Sequence, residues 1–403
     1  MIAEMTTDIS RRGATPPEAA SLPPMGRGHV RPEGARAASL RRGVFALALG
    51  FALALPLAPP AQAQASLSFA ATISRLSEPG GYFDTDNLIS NEGSYQHVLG
   101  KLGALGVHGG AYLGVGPDQN FTYIAALRPE LAIIVDIRRD NMLQQLMFRA
   151  LFQLAHDRME YLALLLGRPL PPTHRATESI DSIVAYLDRT PLHQATLDSA
   201  LAAVRRGVLT YGVALSDSDL ATIRRFHGTF ARNGLDLHFE SFGRRGFGNY
   251  PVLRQLILEK DLDGQRRGYL ADEGAFQFVR SLELQGRIVP VVGDLAGSTA
   301  LPAIAAYLRE RKLPLSAYYV SNVEFYLARE GKLDAYVANL RRLPHAPGAV
   351  LIRSIFRFQL PQTIPGYGST QALERIDDLL AAFDAGKING YYDLVTVGAL
   401  PAR

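Results

Sequence analysis

The chain has 403 residues, 47% hydrophobic, 20% charged and 9% aromatic, which excludes a disordered chain, a collagen and a multi-span membrane protein. It has no Cys, so disulfides, a thiolate nucleophile, an iron–sulfur cluster and Cys-ligated zinc are excluded too. Residues 1–65 hold seven of the 42 basic and four of the 38 acidic residues; the remaining 35 and 34 nearly balance and give no reason to expect a nucleic-acid partner.

Residues 1–38 are rich in Pro, Gly, Ala and Arg and have no apolar period. Arg41 and Arg42 then precede Val44 to Ala58, fifteen residues without a charge. Ala61-Gln62-Ala63 and Ala63-Gln64-Ala65 place small residues at −3 and −1, so cleavage is expected after Ala63 or Ala65. This order predicts an exported, periplasmic protein, with Met25 as an alternative start and Arg41-Arg42-Gly43-Val44-Phe45 as a loose twin-arginine pattern. The apolar run is short of the ~20 residues that span a bilayer. Membrane contact is therefore expected only through an uncleaved signal.

Residues 66–86 read as a tether with a turn at Pro79-Gly80-Gly81. Tyr95, Val98, Leu99, Leu102 and Leu105 predict a helix over 91–105. A short strand over 109–115, a helix over 120–127 and a strand over 131–136 follow, then a long helix over 140–166 and a Pro-rich break at 167–175. Residues 176–285 have helical periodicity, with 211–215 as the one candidate strand. Strands are expected at 287–294, 315–321 and 348–355, with helices at 299–311 and 331–342 between them. A helix at 370–385 and a strand at 390–397 close the pattern.

Strands alternating with helices predict an α/β fold with a doubly wound, mostly parallel sheet. The stretch between the second and third strands far exceeds one crossover. The expected organisation is a presequence (1–65), a first part of the sheet domain (66–139), a helical insertion (140–285) and a second part (286–403). The insertion is expected over one edge of the sheet near the strands' carboxyl ends, where open α/β sheets bind ligands.

Gly114 and Gly116 follow the first strand and precede a helix, where glycine lets the backbone turn tightly and approach a ligand. The third glycine of a dinucleotide fingerprint would be Gln119, which argues against a standard NAD or FAD site, and no Walker loop occurs. Asp136 lies 22 residues beyond Gly114 at the end of the second strand, where an acid can accept from both ribose hydroxyls. As a strand-end residue it is expected to be mostly exposed; the alternative role is a cap for the helix near Asn141. Gly293-Asp294 repeats the logic, with Asp294 meeting an adenine amino group or capping a helix.

Five consecutive strands thus carry a Gly-x-Gly, an acid, a Gly-Asp and Ser321-Asn322-Val323-Glu324. In this the chain resembles the class I, Rossmann-like S-adenosylmethionine-dependent methyltransferase superfamily, in an exported bacterial branch, over about 95–140 and 286–356. The resemblance implies a Rossmann-like fold and S-adenosylmethionine as cofactor. It implies that the loop of Gly114, Gly116 and Asp118 passes under the cofactor's methionine and ribose. Asp136 would hold the ribose, Gly293 and Asp294 would sit by the adenine, and Ser321 would border the cofactor. Asn322 or Glu324 would orient the acceptor, with Glu324 as a base if burial raises its pKa.

Asp84, Asp86 and Glu92 are expected in a solvated turn and helix cap, with projection into the pocket as the alternative. The segment from Phe239 to Tyr250 suits a mobile lid over an anionic or planar ligand, or an exposed loop. His156 and Glu160 are four apart, a spacing that can bind metal, but no H-E-x-x-H motif completes them and no metal site is expected. Two readings follow. One is an exported methyltransferase acting on a small molecule. The other is a non-catalytic exported protein whose pocket binds a different, nucleoside-like or anionic ligand.

Overall fold

The structure, a computed structural model, describes residues 61–241, 250–356 and 358–400. The arginine pair and apolar run of the expected export signal lie outside the described residues, as does the middle of the expected lid. The expected tether begins instead as a helix, α1 (Ala61–Leu76). Phe69, Ile73 and Leu76 recur at helical spacing and are buried. They pack α1 against the third strand of the sheet.

From there the chain forms α2 (Leu99–Ala104), β1 (Ala111–Gly114), α3 (Gln119–Leu127) and β2 (Leu131–Asp136). The long helix expected at 140–166 is two, α4 (Arg139–Leu154) and α5 (Arg158–Leu166). Ala155 turns to extended backbone, and Asp157 restarts the helix by accepting the Glu160 N–H at 2.9 Å. The insertion continues through α6 (Ile180–Arg189), α7 (Gln194–Leu209), α8 (Asp217–Asn233), α9 (Leu253–Leu258) and α10 (Glu273–Leu284). The candidate strand at 211–215 does not form. Then come β3 (Ile288–Val292), α11 (Ala300–Glu310), β4 (Leu315–Ser321), α12 (Val323–Arg329), α13 (Leu333–Arg342) and β5 (His345–Phe356). The last elements are β6 (Ser369–Arg375), α14 (Ile376–Asp384) and α15 (Tyr391–Thr396).

Two expectations at the carboxyl end are overturned. The helix expected at 370–385 opens as β6, antiparallel to β5, because Thr370, Gln371, Ala372, Leu373 and Glu374 are all buried. The strand expected at 390–397 is the helix α15, whose Leu394 and Val395 turn inward together.

The sheet order is β3-β2-β1-β4-β5-β6, with the first five strands parallel. The chain steps outward from β1 to β3, then returns to the other side of β1 to lay down β4. Right-handed crossovers then put α3 and α4 on one face and α11 to α13 on the other. A crevice opens outside the carboxyl ends where the order reverses, between β1 and β4.

Among the described residues the helices of the insertion do not line that crevice. Every residue of α4 from Asn141 to Phe152 is buried, the polar Asn141, Gln144, Gln145 and Arg149 included, and a helix buried on all sides needs cover on its outer face as well. Helices α7, α8 and α10 supply it, so the insertion builds outward from α4. No helix among the described residues is long and apolar enough to cross a membrane.

Where α1 meets the insertion, the Arg149 guanidinium lies over the rings of Phe69 and Tyr211, 4.4 and 5.0 Å from their centroids, and 3.5 Å from Glu283. Burial pushes the Glu283 carboxyl up to about 8, and Arg149 only partly offsets it. The folded state therefore holds a proton there that the unfolded state releases at ordinary carboxyl pH. The stabilisation is complete below the unfolded pKa and is lost as pH rises through the folded one. Thermal midpoints are expected to fall between about pH 5 and pH 8. A Glu283→Gln variant should flatten that slope; an unchanged slope would remove Glu283 as its source.

Candidate functional site

A cleft of about 180 Å³ opens at the crevice between β1 and β4. Six of the nine predicted site residues line it: Gly116, Asp136, Gly293, Asp294, Ser321 and Asn322. Gly114, Asp118 and Glu324 do not. Of the helical insertion, only Phe239 reaches the cleft among the described residues.

The loop after β1 is fixed from within by Asn120, in the first turn of α3. Its Nδ2 donates to the carbonyls of Val115 (2.9 Å), Gly116 (3.3 Å) and Pro117 (2.8 Å), and its Oδ1 accepts from Tyr112 at 2.8 Å. A Cβ on Gly114 would stand 2.0 Å from that Oδ1, so this glycine makes room for Asn120 and not for a ligand. Gly116 has a φ of +82° and does face the cleft. Asp118 turns inward, where Tyr269 donates to it at 3.3 Å and burial pushes its carboxyl up to about 6.

Asp136 is not exposed as expected: its side chain is 11% accessible and belongs to Arg138. Its Oδ1 accepts the Arg138 backbone N–H (2.9 Å) and Nε (3.2 Å), and its Oδ2 accepts Nη2 at 3.1 Å. The remaining Arg138 nitrogen donates to the carbonyls of Thr85 and Asp86, tying the segment before α2 to the end of β2. Asp294 accepts the Ala296 N–H at 2.9 Å and faces Lys332 at 3.8 Å. Neither acid caps a helix, since Arg138 and Thr299 occupy the N-cap positions of α4 and α11.

Glu92 departs most from expectation. It is 1% exposed and forms the floor of the cleft. Tyr319, Ser321, Ser354 and Gln371, from β4, β5 and β6, all donate to its carboxylate. Burial pushes the carboxyl up, against the pull of those donors. Ser321, which ends β4, has a φ of +52°, a left-handed backbone uncommon outside glycine.

Glu324 points the other way. Arg353 forks onto it through Nε (2.5 Å) and Nη2 (3.1 Å) and also donates to Glu374. All three are 2% exposed or less, and a base in that triad has no access to the cleft.

Beside the cleft lies an aromatic annex of about 70 Å³, lined by Phe83, Phe239, Tyr250, Phe325, Tyr326, Phe356 and Tyr391. Asn91 and Asn322 border both cavities. The two ends of the expected lid meet here, with the Phe239 and Tyr250 rings 5.1 Å apart. Away from the cleft, His156 and Glu160 pair at 2.8 Å. Asp157, Glu160 and His174 bring potential metal-ligand atoms within 4.8 Å of one another, although Asp157 already caps α5 and pairs with His174 at 2.9 Å.

A family model described as "Domain of unknown function (DUF7790)" matches residues 88–210 and 244–375. The chain belongs to that family. The matched segments of this family member carry Glu92, Gly116, Asp136, Arg138, Gly293, Asp294, Ser321 and Asn322, together with the Arg353 triad. Helices α1, α8, α14 and α15 fall outside the match. No curated protein matches the chain.

Proposed function

We propose that the cleft binds a nucleoside-bearing small molecule of net positive charge, that this molecule is S-adenosylmethionine, and that its methyl group passes from the sulfonium sulfur to a lone pair of an acceptor in the aromatic annex, with S-adenosylhomocysteine as the leaving group. The observation that carries the proposal is the convergence of acids from the ends of two neighbouring strands, β2 and β3, on the crevice where strand order reverses. The order, with an antiparallel strand beside β5, supports a Rossmann-like, methyltransferase-type sheet.

The residues present fit such a ligand in charge. Glu92, Asp136, Asp294 and Glu330 line the cleft together with only two bases, Arg138 and Lys332, an excess of acids that suits a cation and disfavours an anion. A carboxylate offers about four acceptor positions; Arg138 takes three on Asp136 and leaves one for a ribose hydroxyl. Bound there, S-adenosylmethionine supplies an electrophilic methyl group. The chain's own part is positioning: Asn322 sits between cleft and annex and orients the acceptor, and the rings of Phe83 and Tyr326, 4.9 Å apart, keep water out.

Arg138 favours a second reading, a binding protein without transfer, because the expected ribose acid is already engaged by a cation. Export favours it as well, since S-adenosylmethionine is made in the cytoplasm; N-terminal sequencing of the secreted chain would test export, with cleavage after Ala63 or Ala65 as the expected result. Asp136→Asn is expected to weaken S-adenosylhomocysteine binding by about 10-fold or more, the loss of one charge-assisted hydrogen bond. Equal affinity in a folded variant would remove the ribose assignment.

A further inference from the structure

We infer that the floor of the cleft takes a primary ammonium group of the ligand, held between the carboxylate of Glu92 and the side-chain carbonyl of Gln119. The inference rests on the reading of the cleft as a small-molecule site and names the group that this site selects.

Glu92 is buried with four donors, all of them neutral: Tyr319, Ser354 and Gln371 crowd Oε2, while Oε1 accepts from Ser321 alone and keeps an acceptor position open. Among the described residues no ion pair reaches it. The Arg138 guanidinium is spent on Asp136, Thr85 and Asp86, and that of Arg353 on Glu324 and Glu374. A carboxylate out of water without a cation is costly, and such groups are normally paired.

Gln119 supplies the second observation. It is 5% exposed and lines the same cleft. Tyr319 gives its single hydroxyl proton to Glu92, so its oxygen accepts from Gln119 Nε2 at 3.1 Å. That network fixes the amide so that Oε1 is the free end, and this oxygen is buried without a hydrogen-bond partner. An orphaned acceptor and an uncompensated carboxylate on one floor call for a group that is positive and donates more than once. A primary ammonium has three donors and one charge. A divalent metal ion would need more oxygen ligands than one carboxylate and one amide provide, and a neutral hydroxyl would leave the charge unmatched.

The test is calorimetric titration of the wild-type chain and Glu92→Gln with three probes. These are S-adenosylhomocysteine, its analogue with hydrogen in place of the α-amino group, and n-butylammonium chloride. The expected result is about 10- to 100-fold weaker binding of the deaminated analogue to the wild type, with the difference lost in Glu92→Gln. Equal binding of the two nucleosides to the wild type overturns the ammonium site and leaves the nucleoside reading intact. If neither nucleoside binds but n-butylammonium binds the wild type and not Glu92→Gln, the ammonium site stands and the nucleoside reading falls. If no probe binds the wild type, both fall. The wild-type comparison decides even if the variant does not fold.

Discussion

Replacing Arg353 with methionine is expected to cost about 3–5 kcal/mol of stability, the toll of leaving buried carboxylates without their cation. Arg353 stands between Glu324 and Glu374 with none of the three accessible to water. Its guanidinium meets Glu324 through two nitrogens and Glu374 through a third. Without it, α12 and β6 hold two acids side by side in a low dielectric. Glu374 already has a carboxyl pushed up by burial and one oxygen without a partner. Neutralising the acids as well, with Arg353→Met, Glu324→Gln and Glu374→Gln together, should recover at least half of the loss. Urea unfolding measures both. A single-variant loss below about 1 kcal/mol, the value of an exposed pair, would contradict this account. The triad also holds the first turn of α12 through Glu324, next to Ser321 and Asn322 at the cleft.

The second large effect is expected at Asn120. Asn120→Ala removes four hydrogen bonds from a side chain with no solvent access, leaving three loop carbonyls and the Tyr112 hydroxyl to find other partners. Unsatisfied buried groups cost about 1–3 kcal/mol each, and partial relaxation brings the expected total to about 2–4 kcal/mol. The loss should be local as well as global. Amide exchange across 114–119 should accelerate more than in β2, because Asn120 holds the loop shut from within. Unchanged exchange there would mean that the loop is held by something else. Ligand affinity should fall with the loop, since Gly116 and Gln119 both border the cleft.

How far the sequence reveals this molecule depends on how local each signal is. Strands β1 to β5 are legible because each is a short apolar run between helices, and Asp136 and Asp294 are legible because the end of a strand is marked in the chain itself. β6 is illegible because its side chains are buried without being apolar: Gln371 bonds to Ser354 and Glu374 to Arg353, and alone they read as helix. α15 fails the other way, its aromatic and β-branched residues suggesting a strand. Glu92 shows no signal of burial, because its donors Tyr319 and Gln371 lie 227 and 279 positions away. The misplacement of Glu324 has a simpler cause. A sequence shows that an acid follows β4, not which way α12 points it. Arg138, two residues after Asp136, could have warned that the acid was spoken for, since an arginine at that spacing folds back readily onto a strand-end carboxylate.

The measurement that bears most directly on the proposed function is calorimetric titration of the wild-type chain with S-adenosylmethionine and S-adenosylhomocysteine. Micromolar binding of both, about −8 kcal/mol, is the predicted result. No heat of binding at millimolar ligand would contradict the nucleoside assignment. The cleft between β1 and β4, with Glu92 at its floor, would then serve a ligand of another kind.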